Sequence, residues 1–137
     1  MARYVVARAD EVPPDGNKLV TVKGREIVIF NVHGEFHALL NRCPHEGADL
    51  CKGARVGLVE SETPGHYTYS RAGEMIRCPW HGWEFDIKTG QSWCEPASVW
   101  VRRYAIAVED GDELVRGPFV AESFPVQVED KYLVIEM

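Results

Sequence analysis

Apolar residues along this chain fall in short β-type runs bounded by Gly, Pro, Asn and Asp. Tyr4–Ala7 is a candidate first strand. Val12-Pro13-Pro14-Asp15-Gly16 interrupts it, because proline cannot donate to a ladder. Leu19–Val22, a Lys23-Gly24 turn and Glu26–Phe30 predict a hairpin, and Val32-His33-Gly34-Glu35 turns the chain again into Phe36–Leu40. Those three strands make a meander. From Arg42 to about Pro96 the candidate strands shorten to Arg55–Glu60, Tyr67–Ser70, Met75–Arg77 and Trp83–Asp86. The alternation returns at Val99–Val101 and through Tyr104, Ile106 and Val108. A closing hairpin is expected from Val126–Val128, a turn at Glu129–Lys131, and Tyr132–Ile135, with Gly111–Phe124 as a loop before it. No segment keeps a helical period over ten or more residues, so the expected class is all-β.

Composition narrows the picture. A chain of 137 residues favours one domain and can bury a real core without disulfide staples. With 45% hydrophobic and 26% charged residues it has a globular rather than a disordered balance. No run approaches the ~18 apolar residues of a membrane span, so no membrane partner is expected. The short apolar stretch before Arg8 falls short of a secretory signal, and a cytoplasmic protein is expected. The net charge of −6 argues against nucleic-acid binding, which needs a concentrated basic surface.

The middle segment concentrates the chemistry. It holds all four cysteines, three of the five histidines and three of the four tryptophans. Two short motifs stand out, Cys43-Pro44-His45 and Cys78-Pro79-Trp80-His81. Each supplies one thiolate and one imidazole. A zinc finger instead pairs its cysteines on one knuckle and its histidines on another. A two-iron cluster with asymmetric ligation explains the mixing, since two thiolates can bind one iron and two histidines the other. Pro44 and Pro79 stiffen the loops by fixing φ, and Gly47 and Gly82 permit close backbone approach. A zinc-binding interaction module with the same four ligands stays open at this point. Colour separates the two, because zinc gives none.

Cys43-Pro44-His45-Glu46-Gly47-Ala48 and Cys78-Pro79-Trp80-His81-Gly82-Trp83-Glu84-Phe85-Asp86 together resemble the two boxes of the Rieske [2Fe–2S] family, and the likeness runs on through Thr89-Gly90. The resemblance implies one [2Fe–2S] cluster, with Cys43 and Cys78 on the inner iron and His45 and His81 on the outer one. It implies an antiparallel β sandwich over residues 1–137 as a single domain. A small cluster-binding subdomain, roughly 42–96, would be formed by the two ligand loops.

The boxes also indicate a subtype. High-potential members carry an extra, disulfide-linked cysteine in each box; Ala48 and Trp80 fill those places here. Trp83 stands near the position of a hydroxyl donor to the cluster and has no hydroxyl. Fewer donors mean less stabilisation of the reduced cluster, so the potential should lie toward the bottom of the family range of roughly −150 to +300 mV. The sequence resembles the ferredoxins that feed electrons to aromatic-ring hydroxylation. That implies a flavin-dependent reductase upstream and a terminal oxygenase downstream. The alternative is a Rieske small subunit of a larger oxidoreductase, such as a dioxygenase or a nitrite-reductase-like assembly.

Other features set limits. No Gly-x-Gly-x-x-Gly fingerprint or P-loop is present, and the spare histidines His33, His37 and His66 are scattered. The chain therefore reads as an electron-transfer component more than a catalyst by itself. Thirty-two residues separate His45 from Cys78, a long spacing for this family, and the surplus predicts an inserted hairpin at about 58–76. Cys51 and Cys94 are expected to be thiols outside the ligand set, and Trp83, Trp93 and Trp100 to be packing residues.

Overall fold

The computed structural model describes residues 3–44, 47–63, 65–79, 83–92, 99–112 and 130–137. They fold almost entirely as antiparallel strands: β1 (Arg3–Arg8), β2 (Asn17–Val22), β3 (Arg25–Val32), β4 (Glu35–Leu40), β5 (Ala54–Thr63), β6 (His66–Arg77), β7 (Glu84–Asp86), β8 (Arg103–Asp110) and β9 (Lys131–Glu136). The chain divides into two compact units, one made of residues 1–40 and 103–137 and the other of residues 41–102.

The first unit is a six-stranded sheet in the order β1-β9-β8-β4-β3-β2. The expected meander is present as β2, β3 and β4. Its tight turns are Lys23-Gly24 and His33-Gly34, and all four residues have positive φ. That is the primed geometry that two-residue hairpin loops need to match strand twist. Ile27, Ile29, Leu133 and Ile135 are fully buried in its core, beside Tyr4, Ala7, Val22 and Ala38. Burying each of these isoleucine and leucine side chains stabilises the sheet by about 1.5–3 kcal/mol relative to exposure.

The second unit is a three-stranded sheet in the order β5-β6-β7. The two strands expected at Tyr67–Ser70 and Met75–Arg77 are here one strand, β6. The ladder steps from Val56↔Met75 to Leu58↔Ser70, leaving extra residues on β6 as a bulge. Gly73, at φ +75, sits in that bulge and its carbonyl accepts the Arg55 Nε–H at 2.8 Å. The polar break in the pattern is thus absorbed inside the strand. Residues 58–63 and 66–70, at the surplus, continue this β5–β6 ladder.

One further expectation needs correction. Val99–Val101 forms no named strand; Trp100 makes an isolated bridge to Gln91 and the Val101 N–H donates to the Gly90 carbonyl at 2.7 Å. Trp100 is 57% exposed rather than packed, because one bridge gives its ring no facing layer. β9 pairs with β1 on one side and β8 on the other; the expected strand Val126–Val128 lies outside the described residues, as does nearly all of Gly111–Phe124.

Candidate metal centre

Both boxes lie in the second unit, and the strand register explains how they come to the same end of its sheet. Residue Arg77 pairs with Glu84 across β6 and β7, so the second box, residues 78–83, is the connection of that hairpin. Its first rung beyond the ladder is the Cys78 N–H donating to the Trp83 carbonyl at 2.7 Å. On the other side of β6, Ala54 pairs with Arg77. The chain leaving the first box therefore passes directly beside the residue that precedes Cys78.

That approach is close. A Cβ on Gly53 would stand 2.1 Å from the Arg77 carbonyl oxygen and 3.2 Å from the Leu50 oxygen. No side chain fits there, so glycine is dictated by the backbone contact that joins the two loops.

The first box closes in the same way as the second. The Cys43 N–H donates to the Ala48 carbonyl at 2.8 Å, and the Gly47 N–H donates back to the Cys43 carbonyl at 2.7 Å. Gly47 has φ +84, a left-handed conformation that other residues adopt only with strain. The Asp86–Gln91 turn repeats this pair of bonds, with Gly90 at φ +78 in the equivalent place. In the second box Gly82 occupies the corresponding sequence position.

Asn41 fastens the first loop from outside. Its side chain is buried, and Oδ1 accepts the Cys51 N–H at 2.7 Å, tying the 3-10 turn Leu50–Lys52 back across the box. Sequence reasoning missed Asn41 and Gly53. A polar residue at the end of an apolar strand was the available signal for the first, and nothing short of the register could have exposed the second.

Cys43 is 0% and Cys78 2% exposed, and neither is in a disulfide. Two reduced thiols shielded from water, on loops whose backbones are closed by hydrogen bonds, fit the sulfur side of an iron–sulfur site. His45 and His81, with Trp80, lie outside the described residues, as does Cys94. Among the described residues no group of three or more His, Cys, Asp and Glu side chains is placed to hold a metal ion.

The remaining candidates have ordinary surroundings. Cys51 is a half-buried thiol outside any disulfide. The imidazole of His33 lies 3.9 Å from Asp15 and that of His37 3.5 Å from Glu35, both in the first unit. His66 opens β6.

Comparison with known proteins adds an independent line. The model of the Rieske [2Fe-2S] domain matches residues 2–105. The 3-phenylpropionate/cinnamic acid dioxygenase ferredoxin subunit of Escherichia coli K12 is 31% identical over 105 residues, covering 77% of this chain and 85% of that protein. The ferredoxin component of the naphthalene 1,2-dioxygenase system of Pseudomonas aeruginosa is 32% identical over 97 residues, covering 70% and 78%. The solved structure of the Sphingomonas yanoikuyae B1 ferredoxin superposes with a TM-score of 0.60 at 26% identity, covering 79% of this chain and 91% of that one. The chain belongs to the Rieske [2Fe-2S] domain family, and it holds one [2Fe–2S] cluster.

Proposed function

We propose that this protein is a one-electron carrier of an aromatic-ring-hydroxylating system, with its cluster held by Cys43, His45, Cys78 and His81. It takes electrons from a flavin-dependent reductase and passes them to a terminal oxygenase. The observation that carries the reading is the pair of buried, reduced cysteines on two loops of one closure, inside a chain of the Rieske family.

When bound, the cluster supplies a reversible one-electron step. The protein's own residues hold it in place. The Cys43–Ala48 and Cys78–Trp83 bonds hold the backbone from which each sulfur projects, so little of the main chain need reorganise as charge changes. Burial of both cysteines keeps water from the sulfurs. Histidine ligation matches the task electrostatically. Two ferric ions, two sulfides, two thiolates and two neutral imidazoles sum to zero, and one added electron leaves a single negative charge. Residues 42–96 serve as the cluster-binding subdomain of one domain spanning 1–137, and the cytoplasm is the proposed compartment. Among the described residues no helix is long and apolar enough to cross a membrane.

The curated relatives are ferredoxin subunits or components of dioxygenase systems, which supports the carrier over the small-subunit alternative. Stopped-flow mixing tests the function. Protein reduced by a ferredoxin reductase should be reoxidised on mixing with a Rieske-type terminal oxygenase, faster than by dioxygen alone. Reoxidation indifferent to the oxygenase would count against the carrier role.

A further inference from the structure

An arginine stands immediately before each box cysteine: Arg42 before Cys43 and Arg77 before Cys78. The two are placed differently. Arg77 faces Glu84 across the ladder, with Nη2 3.8 Å from the carboxylate, so its charge is locally compensated. Arg42 is exposed and lies over the first loop. Its guanidinium lies beside Gly47, with Nε 3.4 Å and Nη2 3.6 Å from a Cβ built there, ordinary contact distances. Arg42 makes no ion pair among the described residues. Among the described residues the first loop thus carries a cation with no carboxylate within 4 Å, while the base of the second carries a neutral pair; Glu46, on the first loop, lies outside the described residues.

We propose that Arg42 sets the redox equilibrium of the cluster by favouring its reduced form, and that the Glu84 carboxylate withholds the same help from Arg77. This rests on Cys43 and Cys78 being the thiolate ligands. On reduction one electron enters from the reductant, no bond is made or broken, and the cluster gains one unit of negative charge. A fixed cation lying on a ligand loop stabilises that charge, and salt screens it only in part. Both arginines are at the surface, so their loss costs little stability. They act as tuning residues and touch no reacting atom in the described geometry.

The test is potentiometry of the purified holoprotein, with an electrode as the electron source, on Arg42→Gln, Arg42→Lys and Glu84→Gln. Iron content and the visible spectrum are recorded first. At a fixed applied potential, Arg42→Gln should lower the ratio of reduced to oxidised protein by about threefold, roughly 28 mV at ~59 mV per tenfold. Glu84→Gln should raise it by a similar factor, and Arg42→Lys should leave it near the parent value. High salt should shrink both shifts. A merely structural role would not move the two variants in opposite directions. Equal or same-sign shifts in loaded protein would overturn the proposal. If Arg42→Gln fails to load, Glu84→Gln decides alone, and no rise overturns it. Parent protein without iron would instead overturn the ligand reading beneath it.

Discussion

The backbone N–H of Cys78 donates to the carbonyl of Trp83, five residues on, at 2.7 Å. Cys43 and Ala48 make the same five-residue step at 2.8 Å, although histidine is the third residue of one box and the fourth of the other. Each box thus begins from the same backbone bond at its cysteine, and what differs is the sequence position of the histidine that follows.

Gly47 is the residue that lets the first turn close. Substituting Gly47→Val should cost about 1–3 kcal/mol, from the strain of a β-branched residue at φ +84. Urea unfolding would measure the loss. Iron per chain should fall with it, whereas Gly65→Ala, at a similar φ with no neighbour within 4 Å, should lose stability but retain iron.

Gly53→Ala should be the more damaging change, because its Cβ meets backbone that cannot turn aside. Separating Ala54 from Arg77 costs about 2–4 kcal/mol and displaces the residue before Cys78. Thermal unfolding and the visible spectrum should report both effects in one sample. A variant with parent stability and full colour would show that the close approach is not maintained.

Asn41→Ala leaves the Cys51 N–H without its acceptor. The expected cost is about 1–3 kcal/mol. Asn41→Asp keeps an oxygen in place and should recover most of the lost iron content. Failure of the aspartate variant to do better than alanine would show that the amide's other contacts matter more than this bond.

The boxes and the class were readable from sequence because they depend on local signals. Cys43, His45, Cys78 and His81 fall in two short motifs, and the Lys23-Gly24 and His33-Gly34 turns announce the meander. What pattern alone could not settle was pairing. Tyr132–Ile135 pairs with β1 and β8, both far back in the chain, and the apolar pattern of a strand does not say which edges it joins. The same limit hid the continuity of β6, where a bulge around Gly73 looks like a break. Asn41 and Gly53 matter through contacts with Cys51 and Arg77, which only the register brings near.

The midpoint potential should lie in the lower part of the family range, nearer −150 mV than +300 mV. Ala48 is buried in the first box where a disulfide cysteine would stand, and Trp83 offers no hydroxyl. Protein-film voltammetry at neutral pH measures it. A value near the top of the range would point to donors to the sulfurs that these boxes do not supply.

The ligand assignment is tested most directly by iron, sulfide and Mössbauer analysis of protein purified anaerobically from iron-replete cells, together with its His81→Ala variant. The parent should contain about two irons and two acid-labile sulfides per chain, with inequivalent iron sites, one thiolate-ligated and one histidine-ligated. The His81→Ala protein should lose the histidine-ligated signature, while His66→Ala keeps it. Zinc in place of iron, equivalent irons in the parent, or loss of the signature in His66→Ala but not in His81→Ala would contradict the account.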